Sequence, residues 1–411
     1  MSDTDSTPDS SGSTASDWTP DGSGGADIAA PDQVTTVTST SWLGRLRDSV
    51  IGSLIGIALV IAAVMLLYWN EGNEVTTLRT LDMAARLVVE APPARIDPAL
   101  EGRLVHLTGA LLAAAPARDP VFGVVSADAV RLERHVEMFQ WDEHSSSSTE
   151  KSLGGGSTTT TTYDYQRKWS DQAIDSGTFH ARAGHVNPQL PIAGLISDAA
   201  DVRLGAYRLD ASVLDELAPS APVSLPEGAA LPPGWKRGEA GPYRGRDPLA
   251  PVIGDVRVTF IAVPPGTASV IAGQQGDRLA IFMAPNGQTV ALAKPGVAGA
   301  DAMFSAERSQ ARLLAWALRL GGFALCLVGL VLLVRPLAVL VSVIPVLETV
   351  VDVTATLVMS GFAALITLAT IAVARIVFQP LLSLGLLVAG LAIVWGCIRL
   401  RRRPPALPRP G

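Results

Sequence analysis

A chain of 411 residues is long enough for two ordinary domains, yet 48% of it is hydrophobic and only 17% is charged. Soluble globular proteins carry about 25% charge, so this composition excludes a chain that faces water along its whole length. A net charge of −6 without a long basic block excludes a nucleic-acid partner.

Residues 1–41 are Ser, Thr, Asp, Gly and Pro with almost no large apolar side chains, and no Lys or Arg precedes Arg45. Such a segment buries too little apolar surface to offset its ordering entropy, and it is predicted to be a disordered acidic tail. Residues 50–69 then form an uncharged run of the length a helix needs to cross a bilayer. Arg45 and Arg47 precede it, and Tyr68 and Trp69 close it at headgroup level. The run starts far from Met1 and ends in Tyr-Trp-Asn-Glu rather than a cleavage site, so it reads as an anchor and not a signal peptide. Within it, Gly52 and Gly56 are spaced to admit another helix, either a late helix of this chain or one of a second copy.

Asn70-Glu71-Gly72 follows and reads as a cap or turn where the chain leaves the bilayer, with a headgroup or partner contact as the functional alternative. Apolar spacing at Leu78, Leu81, Ala85, Val88 and Val89 predicts a short amphipathic helix.

Residues 70–312 make a β-rich domain. Val130, Leu132, Val136, Met138 and Gln140 share one parity, and Tyr163, Tyr165, Arg167 and Trp169 share another, as in half-buried strands. The Ser/Thr/Gly stretch between them, residues 145–162, predicts the flexible tip of a long hairpin. Val256, Val258 and Phe260 continue the strand pattern, and Asn286-Gly287 marks a tight hairpin. Residues 219–251, rich in Pro and Gly, are expected to form an irregular covering loop.

Three more apolar runs follow at residues 313–334, 353–374 and 376–398. Residues 335–352, holding Pro336 and Pro345, read as a connecting loop. Arginines before the first span, at Arg335, and in the basic tail 399–411 place both termini in the cytoplasm and the domain outside. The expected architecture is therefore an α+β membrane protein with one N-terminal and three C-terminal spans around a large extracytoplasmic β-rich domain. Arg375 falls on the outer side, where its long stem lets it snorkel to the interface. The same account is given for Arg319, which with Arg308 and Arg312 makes a stripe suited to lipid headgroups. With no other ionisable residue deep in a span, a proton relay or ion pathway is disfavoured.

Cys326 and Cys397 both lie in apolar runs, so the domain folds without a disulfide. His135 and Glu137, two apart on one strand, are weak metal candidates with His185, against the plainer reading of a polar strand face. No HExxH, GxSxG or phosphate-loop pattern is present, and neither a cofactor nor a catalytic residue is assigned.

Several ordered segments resemble the transmembrane protein 43 family, also called LUMA. They are Asn70-Glu71-Gly72, the stretch Arg134-His135-Val136-Glu137-Met138-Phe139-Gln140-Trp141, Gly184-His185-Val186-Asn187-Pro188, and the runs at 254–260 and 270–279. The resemblance covers Ser41 to the C-terminus. It implies, in animals, a protein of the endoplasmic reticulum and inner nuclear membrane tied to nuclear-envelope organisation, membrane-protein complexes and, loosely, lipid metabolism. The family also has bacterial members, and the Ala-, Gly- and Arg-heavy usage here points to one, with the domain outside the plasma membrane. It has no agreed catalytic residues, and residues 145–162 depart from its charged insertion. The leading functional expectation is a non-enzymatic organiser that binds the bilayer and associates with itself or other membrane proteins. An enzyme acting on lipid through the outer domain, and a transporter or channel, are the alternatives.

Overall fold

The structure, a computed structural model, describes residues 32–126, 129–152, 155–340 and 345–378. Three long helices dominate it. Helix α1 (Trp42–Leu87) is capped by Ser41, whose hydroxyl accepts from the Gly44 amide. A single helical turn, α2 (Ala211–Leu214), lies within the domain. Helices α3 (Ala300–Leu340) and α4 (Pro345–Phe378) complete the set. Among the described residues, these three long helices are apolar enough to cross a membrane. Their large apolar side chains point outward, as at Leu54, Ile61, Met65, Leu320, Leu357 and Leu365, the arrangement lipid requires.

Three boundaries differ from the sequence reading. The span at 50–69, the turn at Asn70-Glu71-Gly72 and the amphipathic helix are one unbroken helix of 46 residues, about 70 Å long at 1.5 Å per residue. The turn is absent because Gly72 serves a close approach: a Cβ there would stand 2.7 Å from the Phe378 ring. The 335–352 loop is likewise mostly helix. α3 runs through Pro336 to Leu340, and α4 starts at Pro345, the first-turn position a proline tolerates. The third predicted span lies inside α4, which continues through Arg375 to Phe378. The rest of the fourth span, the basic tail and residues 1–31 fall outside the described residues.

The domain is built on two sheets. One joins β1 (Gln33–Thr40), β4 (Arg131–Lys151), β5 (Ser157–Ser170), β6 (Leu195–Asp198), β9 (Ala221–Val223), β10 (Lys236–Arg237), β11 (Pro242–Arg244) and β12 (Val256–Val263). The other joins β2 (Val89–Glu90), β3 (Leu104–Ala115), β7 (Ala200–Leu204), β8 (Tyr207–Leu209), β13 (Gly266–Gln275), β14 (Arg278–Ala280) and β17 (Leu292–Pro295). A small hairpin, β15 (Phe282–Met283) with β16 (Thr289–Val290), turns at Asn286-Gly287, where Gly287 has φ +78°. The Pro/Gly-rich stretch contributes the short strands β9 to β11.

The main core lies between the sheets. Leu132, Val136, Met138, Val258 and Phe260 meet Val105, Leu107, Leu204, Tyr207, Val270 and Leu279. A second core covers the opposite face of β3 and β13, where Leu104 and Ile271 pack with Leu81 and Ala84 of α1 and Met303 and Phe304 of α3. Burial on both faces explains why β13 reads as a continuous buried run rather than an alternating one.

The expected flexible tip at 145–162 is instead largely sheet. β4 and β5 stay paired from Met138 opposite Ser170 to Lys151 opposite Ser157. β1, expected within the disordered tail, adds a third strand along β5, with Gln33 opposite Asp164 and Thr40 opposite Ser157. Threonine's β-branched side chain favours strands, and the hydroxyls pair across them, Ser147 with Thr161 at 2.9 Å and Thr149 with Thr159 at 3.0 Å.

Candidate functional site

Four charges converge where the three long helices meet. Glu71 and Glu74 are one helical turn apart on α1 and so share a face. Arg319 of α3 donates from Nε to Glu71 Oε1 at 2.5 Å and also bonds Glu74. Arg375 of α4 reaches the same two carboxylates, at 2.7 Å to Glu71 and 2.6 Å to Glu74. Glu71 is 0% exposed, Glu74 7% and Arg319 8%. Trp316 lies 5.0 Å from the Arg319 guanidinium, and Asn70 Nδ2 donates to the Ala315 carbonyl at 3.1 Å. Arg79 also bonds the Phe378 carbonyl. Two anions and two cations cancel, and this neutrality lets them stay ionised out of water. The expected snorkelling of Arg319 and Arg375 does not occur, because buried carboxylates on α1 compete for both guanidinium groups. Glu74 and the role of Arg375 escaped sequence reasoning. The available signal was the i, i+3 carboxylate pair directly behind an apolar run, facing two arginines in other runs.

Below this cluster the helices touch at glycines. A Cβ on Gly56 would sit 2.5 Å from the Gly329 carbonyl, one on Gly329 2.8 Å from the Gly56 carbonyl, and one on Gly322 2.6 Å from Leu67. Gly52 is looser, 4.0 Å from Leu332. The face at Gly56 is thus occupied by α3 of the same chain. Gly56→Val is expected to wedge α1 from α3, since the obstacle is backbone that cannot rotate away. A loss of about 1–3 kcal/mol, the usual cost of overpacking, should appear as a lower unfolding temperature in detergent.

The Arg308–Arg312–Arg319 stripe is divided. Arg308 is held by Asp82 at 2.9 Å and lies 6.0 Å from the Phe304 ring, whereas Arg312 is exposed. The metal candidates are not gathered. His135 is exposed on β4 opposite Thr259, Glu137 pairs with Arg257 at 2.7 Å, and His185 is buried elsewhere. Among the described residues, no group of three or more His, Cys, Asp or Glu could hold a metal ion.

Most other singled-out residues build the root of the long hairpin. Asn187 mimics a neighbouring strand: its side chain accepts from the Trp141 amide at 2.7 Å and donates to the Trp141 carbonyl at 2.9 Å. Gln140 holds the following loop by accepting from the Ile174 amide and donating to the Gln172 carbonyl. His185 stacks on Tyr165 at 3.8 Å with Trp141 edge-on at 4.7 Å. Gly184 takes φ +85°, and Pro188 packs against Gly254. Arg134 is buried in an ion pair with Asp119 at 2.6 Å. Beside this root, Tyr243 donates to Asp255 at 2.6 Å; burial first, then that carboxylate, pushes the phenol above its ordinary range.

Comparison with known proteins identifies the lineage. The family profile described as Transmembrane protein 43 matches residues 138–380, more than half of the chain. The human Transmembrane protein 43 is 31% identical over 391 residues, covering 91% of this chain and 95% of the relative. The chain belongs to the transmembrane protein 43 family.

The rat Transmembrane protein 43 is 30% identical over 308 residues, 71% of this chain and 75% of the relative. The Drosophila melanogaster homolog is 30% identical over 280 residues, 66% and 73%. No solved structure matches. The transmembrane protein 43 match takes in the hairpin root from Met138 onward, together with both arginines of the charge cluster.

Proposed function

We propose that this transmembrane protein 43 family member is a non-enzymatic scaffold that holds its outer domain rigidly on a membrane anchor and there organises other membrane proteins. The observation that carries this reading is continuity. α1 and α3 pass without a break from lipid-facing surface into the domain's second core, at Leu81, Ala84, Met303 and Phe304. A domain joined by two unbroken helices cannot swing on a linker, and the four-charge cluster fixes α4 to the same pair. Such an object presents a surface at fixed height and orientation.

The arginine pattern supports cytoplasmic termini with a fourth span at 376–398, and an outer domain beyond the bilayer. The Ala-, Gly- and Arg-heavy composition supports a bacterial chain in the plasma membrane. Purification in mild detergent, with light scattering and crosslinking in native membranes, tests the scaffold role. The expected result is an assembly heavier than one chain or reproducible membrane-protein partners. A strict monomer from which crosslinking recovers no partner overturns it.

A further inference from the structure

The three-stranded ribbon of β1, β5 and the outer half of β4 stands in an unusual place. Its tip meets the start of α1: Arg45 donates to the Gly155 carbonyl at 2.7 Å. Thr149, Lys151, Ser157 and Thr159 share a 340 Å³ cleft with Gly52, Leu332 and Arg335. Its root lies in the domain, where Met138 pairs with Val256 and the Phe139 amide donates to the Asp255 carbonyl. The domain in turn packs on the far end of α1, at Leu81 and Ala84. Between root and tip, β4 covers about 43 Å at ~3.3 Å per residue, against ~30 Å of hydrocarbon. The ribbon therefore runs the length of the spans.

It is nonetheless polar on both faces. Ser145 to Thr149 face Thr159 to Tyr163, Lys168 pairs with Asp142 at 2.6 Å, and Gln33 donates to Asp164 at 2.6 Å. Both margins are also open. Among the described residues β1 pairs only with β5, and β4 beyond Trp141 pairs only with β5. Unpaired strand edges do not occur against lipid, where each unsatisfied backbone group costs several kcal/mol. Something must cover both margins and keep hydrocarbon off both faces.

We infer that the covering is a second copy of this chain, with the β1 margin of one copy pairing with the outer β4 margin of the next around a closed ring. β1 and β4 are each antiparallel to β5, so they run parallel to one another. A rotational ring can thus repeat the junction with every strand in register with its neighbour's direction, leaving no margin exposed. The helices then lie outside with their apolar surfaces in lipid, and the hydroxyl-lined ribbons enclose a polar interior. This inference deepens the scaffold reading by naming a partner and a contact, and it rests on that reading only for the expectation that the protein assembles.

Cysteine crosslinking in native membranes tests it. Thr36, Thr161 and Ser147 stand at one level across the ribbon. In a full-length background with Cys326 and Cys397 replaced by alanine, the double variant Thr36→Cys/Ser147→Cys treated with a short bis-maleimide should give a ladder extending beyond dimers. Each single variant should stay monomeric. Deleting residues 1–40 should remove the ladder and reduce the scattering mass to one chain. Dimers from either single variant, or no ladder from the double variant, overturn the ring. If the ladder is missing while light scattering still shows an assembly, the inference fails and the scaffold reading survives.

Discussion

Glu71→Gln is expected to destabilise the helix bundle by about 3–5 kcal/mol, the cost of breaking a buried ion pair from one side. Glu71 is fully enclosed and holds two guanidinium groups, one on Arg319 and one on Arg375. Glutamine is nearly isosteric and keeps one acceptor, so the packing survives and the loss is electrostatic. The site then carries two cations and one anion away from water. Thermal unfolding in detergent, read by tryptophan emission near Trp316, should move to lower temperature. The double variant Glu71→Gln/Arg319→Gln restores neutrality, leaving Arg375 with Glu74, and should recover part of the loss. If the double variant is as damaged as the sum of both single changes, the residues do not act as a coupled cluster.

Asp119→Ala should be comparably damaging, about 3–5 kcal/mol, although it lies far from the membrane. One oxygen of Asp119 accepts from the Val121 and Phe122 amides at 2.9 and 2.7 Å. The other accepts from Arg134 at 2.6 Å. Removing the carboxylate strands a buried guanidinium whose remaining hydrogen bonds go to the Ala193 carbonyl. It also frees the loop that seats Phe122 against Phe260 and Trp235. The expected readout is early proteolysis of the domain while the helices stay detergent-stable. Equal protease resistance in the wild type and the variant would remove Arg134 from the structural account.

Two carboxylate–arginine sites thus anchor the two halves of the molecule, and they differed in legibility. Arg134 shared the parity of the buried face of its strand with Leu132 and Val136, which hinted that it needed a partner. Asp119 gave no such hint, since it sits on an irregular segment with no period. The membrane cluster was hidden differently. Arg319 and Arg375 were each read alone, and an isolated arginine near a span end is best explained by snorkelling. Only the packing of α1 against α3 and α4 puts Glu71 and Glu74 within reach.

Composition and hydrophobic run length by themselves determined that this is a membrane protein with an early apolar helix, later ones and a strand-rich domain between. Those features follow from transfer energies and side-chain periods, which are local. The hairpin rooted at Gln140 and Trp141 and the Asn286-Gly287 turn were legible for the same reason. The tertiary structure alone decided where helices end, what β1 pairs with, and which charges neutralise one another. Asn70-Glu71-Gly72 continues a helix because Phe378 and two arginines arrive from more than 240 residues away. The Ser/Thr tip is sheet because a strand from before the first span lies along it. Each outcome depends on a contact between residues distant in sequence, whose free energy outweighs the local preference that a short window can report.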